Sequence, residues 1–166
     1  MRKLIFLVIS AVLFMGCATS HTSEERLAEK QRLELQVADS VHAKTFTINV
    51  NYVESQNMMV AHYLTSDYSV RLQGDSVISY LPYFGRAYRA DYNNTQQSPL
   101  TFSSCAQQVT IKRGKHKSYT VYFKVNNDTE MFEYYVDIFP NGSASVNVSS
   151  SDRTPIGFSG SMNIKQ

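Results

Sequence analysis

From Lys44 to the end of the chain, apolar and polar residues alternate with a period of two, and this pattern constrains the fold more than any other feature. Such a period puts successive side chains on opposite faces of an extended strand, whereas a helix needs a repeat near 3.6. Phe46, Ile48, Val50 and Tyr52 alternate with Thr45, Thr47, Asn49 and Asn51, so one row faces a core and the other faces water. The same reading predicts further strands over 58–64, 68–73, 76–81, 99–105, 108–112, 119–125, 131–139, 143–149 and 155–164. Tyr119, Val121, Phe123 and Val125 form one inward row, and Ile156, Phe158, Gly160, Met162 and Ile164 another. Turn residues separate the strands at Gly74-Asp75, Arg113-Gly114-Lys115, Asn126-Asn127-Asp128 and Pro140-Asn141-Gly142. Connections this short join antiparallel neighbours, because a parallel crossover takes a dozen or more residues. About nine or ten strands therefore imply a mainly β fold, an antiparallel barrel of the up-and-down kind, with a β-sandwich as the alternative. Residues 44–166 form this one domain, and 7 of the chain's 9 Phe, with all 11 Tyr, supply bulky material for its core without any Trp.

The pattern before Lys44 is different. Residues 24–43 carry the single helical segment, with acidic Glu24 and Glu25 at its positive end and Thr22 and Glu25 at capping-box spacing. Leu27, Leu33, Leu35, Val37, Ala38 and Val41 spread apolar groups around more of the helix than one face. Three placements are open: packing on the domain, standing off as a spacer, or pairing with a partner helix.

Residues 1–16 read as a lipoprotein signal peptide, with basic Arg2 and Lys3 followed by an apolar run from Leu4 to Met15 and then Gly16. That run falls short of the roughly 20 residues that cross a bilayer as a helix. Leu13-Phe14-Met15-Gly16-Cys17 resembles the bacterial lipobox, with Phe14 where that pattern has Leu and Met15 where it has a small residue. Cys17 is thus the expected lipidation site, followed by a polar tether over 17–23. Each buried methylene of an acyl chain such as palmitate adds about 0.8 kcal/mol, so several chains hold a protein to a membrane. Ala18 stands where an aspartate would retain a lipoprotein in the inner membrane, so the expected address is the outer membrane, on its periplasmic face.

Without Arg2 and Lys3 the chain carries 14 basic against 14 acidic residues, a balance unlike that of a nucleic-acid binder. Once Cys17 is acylated, Cys105 is left alone and no internal disulfide can form. The neighbours Ser103, Ser104 and Ala106 offer it no base, so Cys105 is expected to be a small buried hydrophobe.

The alternation breaks at residues 80–92, YLPYFGRAYRADY, where aromatics crowd around Pro82, Gly85, Arg86 and Arg89. Pro82 ends a hydrogen-bond ladder and Gly85 permits a sharp bend, so the chain leaves the strand and folds back on the core. In this reading Tyr83 and Phe84 plug one end of the domain and Arg86 satisfies buried carbonyls. Tyr and Arg are also favoured binding anchors, which makes Tyr83, Phe84, Arg86, Tyr88 and Arg89 the candidates for contact with a ligand or partner.

The run Tyr80-Leu81-Pro82-Tyr83-Phe84-Gly85-Arg86-Ala87-Tyr88, with Pro99-Leu100-Thr101-Phe102, Asn141-Gly142-Ser143-Ala144 and Arg153-Thr154-Pro155-Ile156-Gly157-Phe158-Ser159-Gly160, resembles domain-of-unknown-function family 4251. The resemblance covers roughly residues 28–164. It implies a lipocalin-like barrel after an N-terminal helix, in envelope lipoproteins of Gram-negative gut bacteria, and it implies no activity. Phe158 occupies a place where the family pattern suggests Tyr.

No metal-ligand spacing joins His21, His42, His62 and His116, and no phosphate loop or nucleophile elbow is present. His62 beside Tyr63 is read as a satisfied or surface histidine, and Glu133 and Asp137 lie about 13 Å apart along one strand face. The tip Lys112, Arg113, Lys115, His116 and Lys117 is read as a solvated turn, with contact to anionic lipid as the other reading. Accordingly no catalytic residue, metal or cofactor is assigned. The expected function is a non-enzymatic binding or interaction module tethered by Cys17, meeting either a small apolar ligand or an envelope protein. The alternative is an envelope enzyme acting on glycan or peptide near residues 80–92.

Overall fold

The computed structural model describes residues 23–55, 61–89, 98–127 and 130–164. The lipobox, Cys17, the Thr22 cap and Tyr92 lie outside the described residues.

A helix α1 (Ser23–His42) precedes eight strands: β1 (Thr45–Ser55), β2 (His62–Gln73), β3 (Ser76–Tyr80), β4 (Thr101–Arg113), β5 (Tyr119–Asn126), β6 (Met131–Ile138), β7 (Ser143–Ser150) and β8 (Ile156–Met162). Each strand pairs antiparallel with the next, and β8 returns to β1, so the sheet is a closed barrel and not a sandwich. The turn at Gly74-Asp75 forms where expected: β2 and β3 meet with Gln73 opposite Ser76, and Gly74 has φ +63°.

Eight strands replace the expected nine or ten because two pairs of predicted strands are each one bulged strand. In β4, Gln107 faces Lys124 and Thr110 faces Tyr122, which leaves Gln108 and Val109 opposite the single residue Phe123. Gln108 takes up the extra length with φ 56°. The bulge shifts the inward row from Phe102 and Ala106 to Val109 and Ile111, and this change of phase looks like a strand break in sequence. Residues 62–64 and 68–73 of the next two predicted segments likewise lie in the one strand β2, whose pairing with β1 jumps from Tyr68–Val50 to Tyr63–Tyr52, while 58–60 lie outside the described residues.

The inward rows fill the barrel. Phe123 stacks on Tyr134 at 5.0 Å between ring centroids, and Phe102 meets Phe132 at 6.1 Å and Tyr134 at 6.3 Å. Rings at these separations attract through their quadrupoles as well as by burial. The Tyr134 hydroxyl lies 3.1 Å from Ser79 Oγ, and Ser79 donates to the Leu100 carbonyl at 2.7 Å. Among the described residues no buried side-chain polar atom lacks a partner.

Of the three placements open for the helix, its second half docks on the domain: Val37 and Val41 are fully buried in the barrel core. His42 meets Tyr119 edge-on at 5.3 Å, and Lys117 Nζ lies 2.7 Å from a Glu34 carboxylate oxygen. Leu35 stays exposed, which accounts for the helix having no clean apolar face. Cys105 is a correction: its side chain is exposed, because it falls on the outward row of β4 opposite Ser76. His62 is exposed as well.

Candidate functional site

The chain leaves β3 at Tyr80, and residues 81–89 cross the end of the barrel opposite the helix. Leu81 and Pro82 are buried, and the Leu81 N–H donates to the Leu100 carbonyl at 3.3 Å. Pro82 has no N–H to give to a ladder, so the strand stops there and the segment turns across the opening.

Beyond Pro82 the segment docks on the connection between β7 and β8. Ala87 and Arg153 form an isolated antiparallel bridge. The Thr154 N–H donates to the Arg86 carbonyl at 3.0 Å, and the Tyr88 N–H donates to the Asp152 carbonyl at 2.8 Å. Tyr83 is the hub. Its hydroxyl lies 2.9 Å from the Thr154 carbonyl, 3.1 Å from the Arg86 carbonyl and 3.1 Å from Thr154 Oγ1. A phenol has one proton, so Tyr83 donates to a carbonyl while the Thr154 hydroxyl donates to Tyr83 and accepts from the Arg86 N–H at 2.9 Å. Burial pushes the Tyr83 pKa up against the opposing pull of the Thr154 hydrogen bond, so the group is a neutral donor and not a base.

Gly85 is required by close approach. A Cβ there would lie 2.2 Å from Tyr83 Oη and 2.4 Å from Thr154 Oγ1. Beneath the hub, the Arg153 guanidinium sits 5.4 Å from the Tyr83 ring centroid and its Nε donates to Glu130 Oε2 at 2.7 Å. Ser150 Oγ donates to the other Glu130 oxygen, and the Asp152 N–H donates to Ser150 Oγ at 3.0 Å. The Glu130 and Arg153 side chains are only 6% and 14% exposed, so this ion pair is largely withdrawn from water, and both Glu130 oxygens accept a bond.

The five sequence candidates therefore divide. Tyr83 is structural, as expected of a plug. Arg86 corrects its expected role: its backbone makes the contacts to Thr154 while its guanidinium is exposed, and the buried carbonyls are satisfied by Tyr83 instead. Phe84, also expected to plug the end, is 44% exposed because the bend at Gly85 turns it outward. Tyr88 is exposed, and Arg89 reaches Asp152 only at 4.0 Å with most of its side chain in water. Phe84, Arg86, Tyr88 and Arg89 thus leave two rings and two guanidinium groups exposed along this stretch, hereafter the lip. Sequence reading missed Glu130, Arg153 and Thr154. The run Arg153-Thr154-Pro155 was visible as a motif, but nothing in it announced Tyr83 as its partner 71 positions away.

The lip carries no nucleophile paired with a base. Among the described residues no three His, Cys, Asp or Glu side chains gather as a metal site requires, and no helix is long and apolar enough to cross a membrane. On the outer face of β5 and β6, Lys124 and Glu133 pair at 2.9 Å beside Tyr122 and Tyr135, whose rings lie 4.8 Å apart. This is a cross-strand cluster of the kind that stabilises sheets.

The fold matches a solved structure, that of a DUF4251 family protein from Bacteroides eggerthii DSM 20697, with a TM-score of 0.60 and 13% identity. The match covers 81% of this chain and 89% of that one. At that identity the likeness is one of fold. No curated protein matches the chain. Residues 28–162, which include the Leu81–Arg86 crossing and the β7–β8 connection that receives it, match the family described as Domain of unknown function (DUF4251), and the chain belongs to that family.

Proposed function

We propose that this chain is a lipoprotein of the bacterial cell envelope, acylated at Cys17, whose lipocalin-like barrel is a non-enzymatic interaction module. In this reading it is held on the periplasmic face of the outer membrane and meets an envelope protein through the lip formed by Phe84, Arg86, Tyr88 and Arg89. The observation that carries the reading is the occupied interior. Phe102, Phe123, Phe132 and Tyr134 meet across the barrel, with Val37 and Val41 buried at one end and Leu81 and Leu100 at the other. An eight-stranded barrel has room for its own side chains or for one small ligand. Its own side chains hold that space here, which favours contact at the surface over an enclosed apolar ligand. Exposed rings beside guanidinium groups are the composition of binding anchors, and the hydrogen bonds of Tyr83 fix the backbone that carries them, which lowers the ordering cost of binding.

Two arms test this. Cells fed a fatty-acid analogue should label the wild-type chain and not Cys17→Ala, and an unlabelled wild type refutes the anchor. A photo-crosslinking residue at Phe84 or Tyr88 should yield one discrete adduct in intact cells, whereas the same residue at Ser145 on the far wall should not. Identical patterns at all three positions refute the lip.

A further inference from the structure

A cleft of about 620 Å³ opens at the helix-bearing end of the barrel, remote from the lip. This volume lies within the range of small-molecule sites. Its walls come from the last turns of α1, the start of β1, the end of β2 and the tail after β8. The apolar part of the lining is the half-buried Ile164, with Phe46 and Leu72 buried behind the surface, while Ser40, Thr45, Gln73 and Asn163 supply hydroxyl and amide groups.

Two charged side chains line the cleft, Asp39 from the helix and Arg71 from β2. They are of opposite sign, yet no ion pair joins them among the described residues. Arg71 is oriented from below, because its Nε donates to Thr47 Oγ1 at 3.2 Å. That bond leaves the two terminal nitrogens of the guanidinium fork for a ligand. A planar fork fixed in this way suits a carboxylate, and a carboxylate such as Asp39 suits an ammonium group. The walls carry no other formal charge, so the site is neutral overall and offers one pole of each sign. A polyanion or polycation would meet an uncompensated like charge here.

We infer that this cleft binds a short zwitterionic peptide, its C-terminal carboxylate on Arg71, its free amino group on Asp39 and an aliphatic side chain against Ile164. The volume exceeds the needs of one amino acid and suits two to three residues. The inference does not depend on the lip or on acylation, since the cleft lies at the other end of the barrel.

Calorimetric titration of the full chain in detergent with Ala-Leu-Ala, and with the same peptide N-acetylated and C-amidated, tests the assignment. The free peptide should bind, and the capped peptide should bind at least tenfold more weakly. Arg71→Gln and Asp39→Asn should each weaken the free peptide about tenfold and leave the capped peptide unchanged, consistent with losing one charge-assisted contact. Both side chains are exposed, so the variants should keep the wild-type circular dichroism spectrum and melting temperature. Absence of binding by the free peptide, equal binding of free and capped forms, or wild-type affinity in both variants would each overturn the proposal. The comparison of free with capped peptide needs no variant and stands even if one of them folds poorly.

Discussion

Gly85→Ala tests the account of the barrel end most directly. The added methyl would sit 2.2 Å from Tyr83 Oη, 2.5 Å from Tyr83 Cζ and 2.4 Å from Thr154 Oγ1. These are side-chain atoms, so the structure can yield by moving the Tyr83 ring instead of the backbone. Moving the ring costs the hydroxyl the bond it donates to a carbonyl and the bond it accepts from the Thr154 hydroxyl, at about 1 kcal/mol net for each bond lost. It also lifts the ring from Arg153, worth about 0.5–1 kcal/mol. The expected loss is therefore about 2–3 kcal/mol, which corresponds to a fall in Tm of roughly 10 °C for a domain of this size. Tyr83→Phe alone should cost about 1–2 kcal/mol, because the Thr154 carbonyl loses its donor. In the double variant the hydroxyl bonds cannot be lost twice, so its cost should fall about 1 kcal/mol below the sum of the single costs. Urea unfolding followed by far-UV circular dichroism measures all three. A Gly85→Ala protein within about 0.5 kcal/mol of wild type, or a strictly additive double variant, would refute the hub.

Three further perturbations probe other parts of the structure. Gly160→Ala should destabilise by about 3 kcal/mol or more, since its Cβ would lie 1.9 Å from the Asn49 backbone oxygen on the seam that closes the barrel; a neutral effect in thermal unfolding would contradict the β1–β8 register. Arg153→Met should cost about 3–5 kcal/mol by leaving Glu130 buried without its cation, and adding Glu130→Gln should recover part of it; a double variant as unstable as the single would count against an ion pair there. Burial holds the Tyr134 phenol neutral well above its ordinary range, against the opposing effect of its hydrogen bond with Ser79. A raised folded-state pKa means that stability is complete below the unfolded value of about 10 and drains away as pH climbs above it. Tyr134→Phe should accordingly flatten the alkaline decline in urea midpoint, and an unchanged decline would show that Tyr134 is not its source.

The two-residue alternation determined on its own that the chain is a β protein with one leading helix, antiparallel and joined by short turns, and it named most of the core. The reason is local: a strand side chain faces in or out according to its parity, and parity is written in the sequence. The rows Tyr119–Val125 and Ile156–Met162 came through with few changes. Bulges broke this rule because they depend on the partner strand. Gln108 looks like the end of a strand until Phe123 is seen opposite it, and the length of β4 followed from that pairing. Cys105 was misjudged for a related reason, since a mildly apolar residue on an outward row differs from a buried one only in its register with Ser76.

Other features were decided by tertiary contact alone. The helix has no clean apolar face, so only the barrel opening could select Val37 and Val41 for burial over Leu35. Residues 81–89 were recognisable as a departure from strand geometry, because Pro82 and Gly85 carry backbone constraints in their own covalent structure. Their use was not recognisable. Tyr83 is held by Thr154 and Arg153 by Glu130 at one end of the barrel, and Asp39 and Arg71, 32 positions apart, line one cleft at the other, juxtapositions created only when the sheet closes.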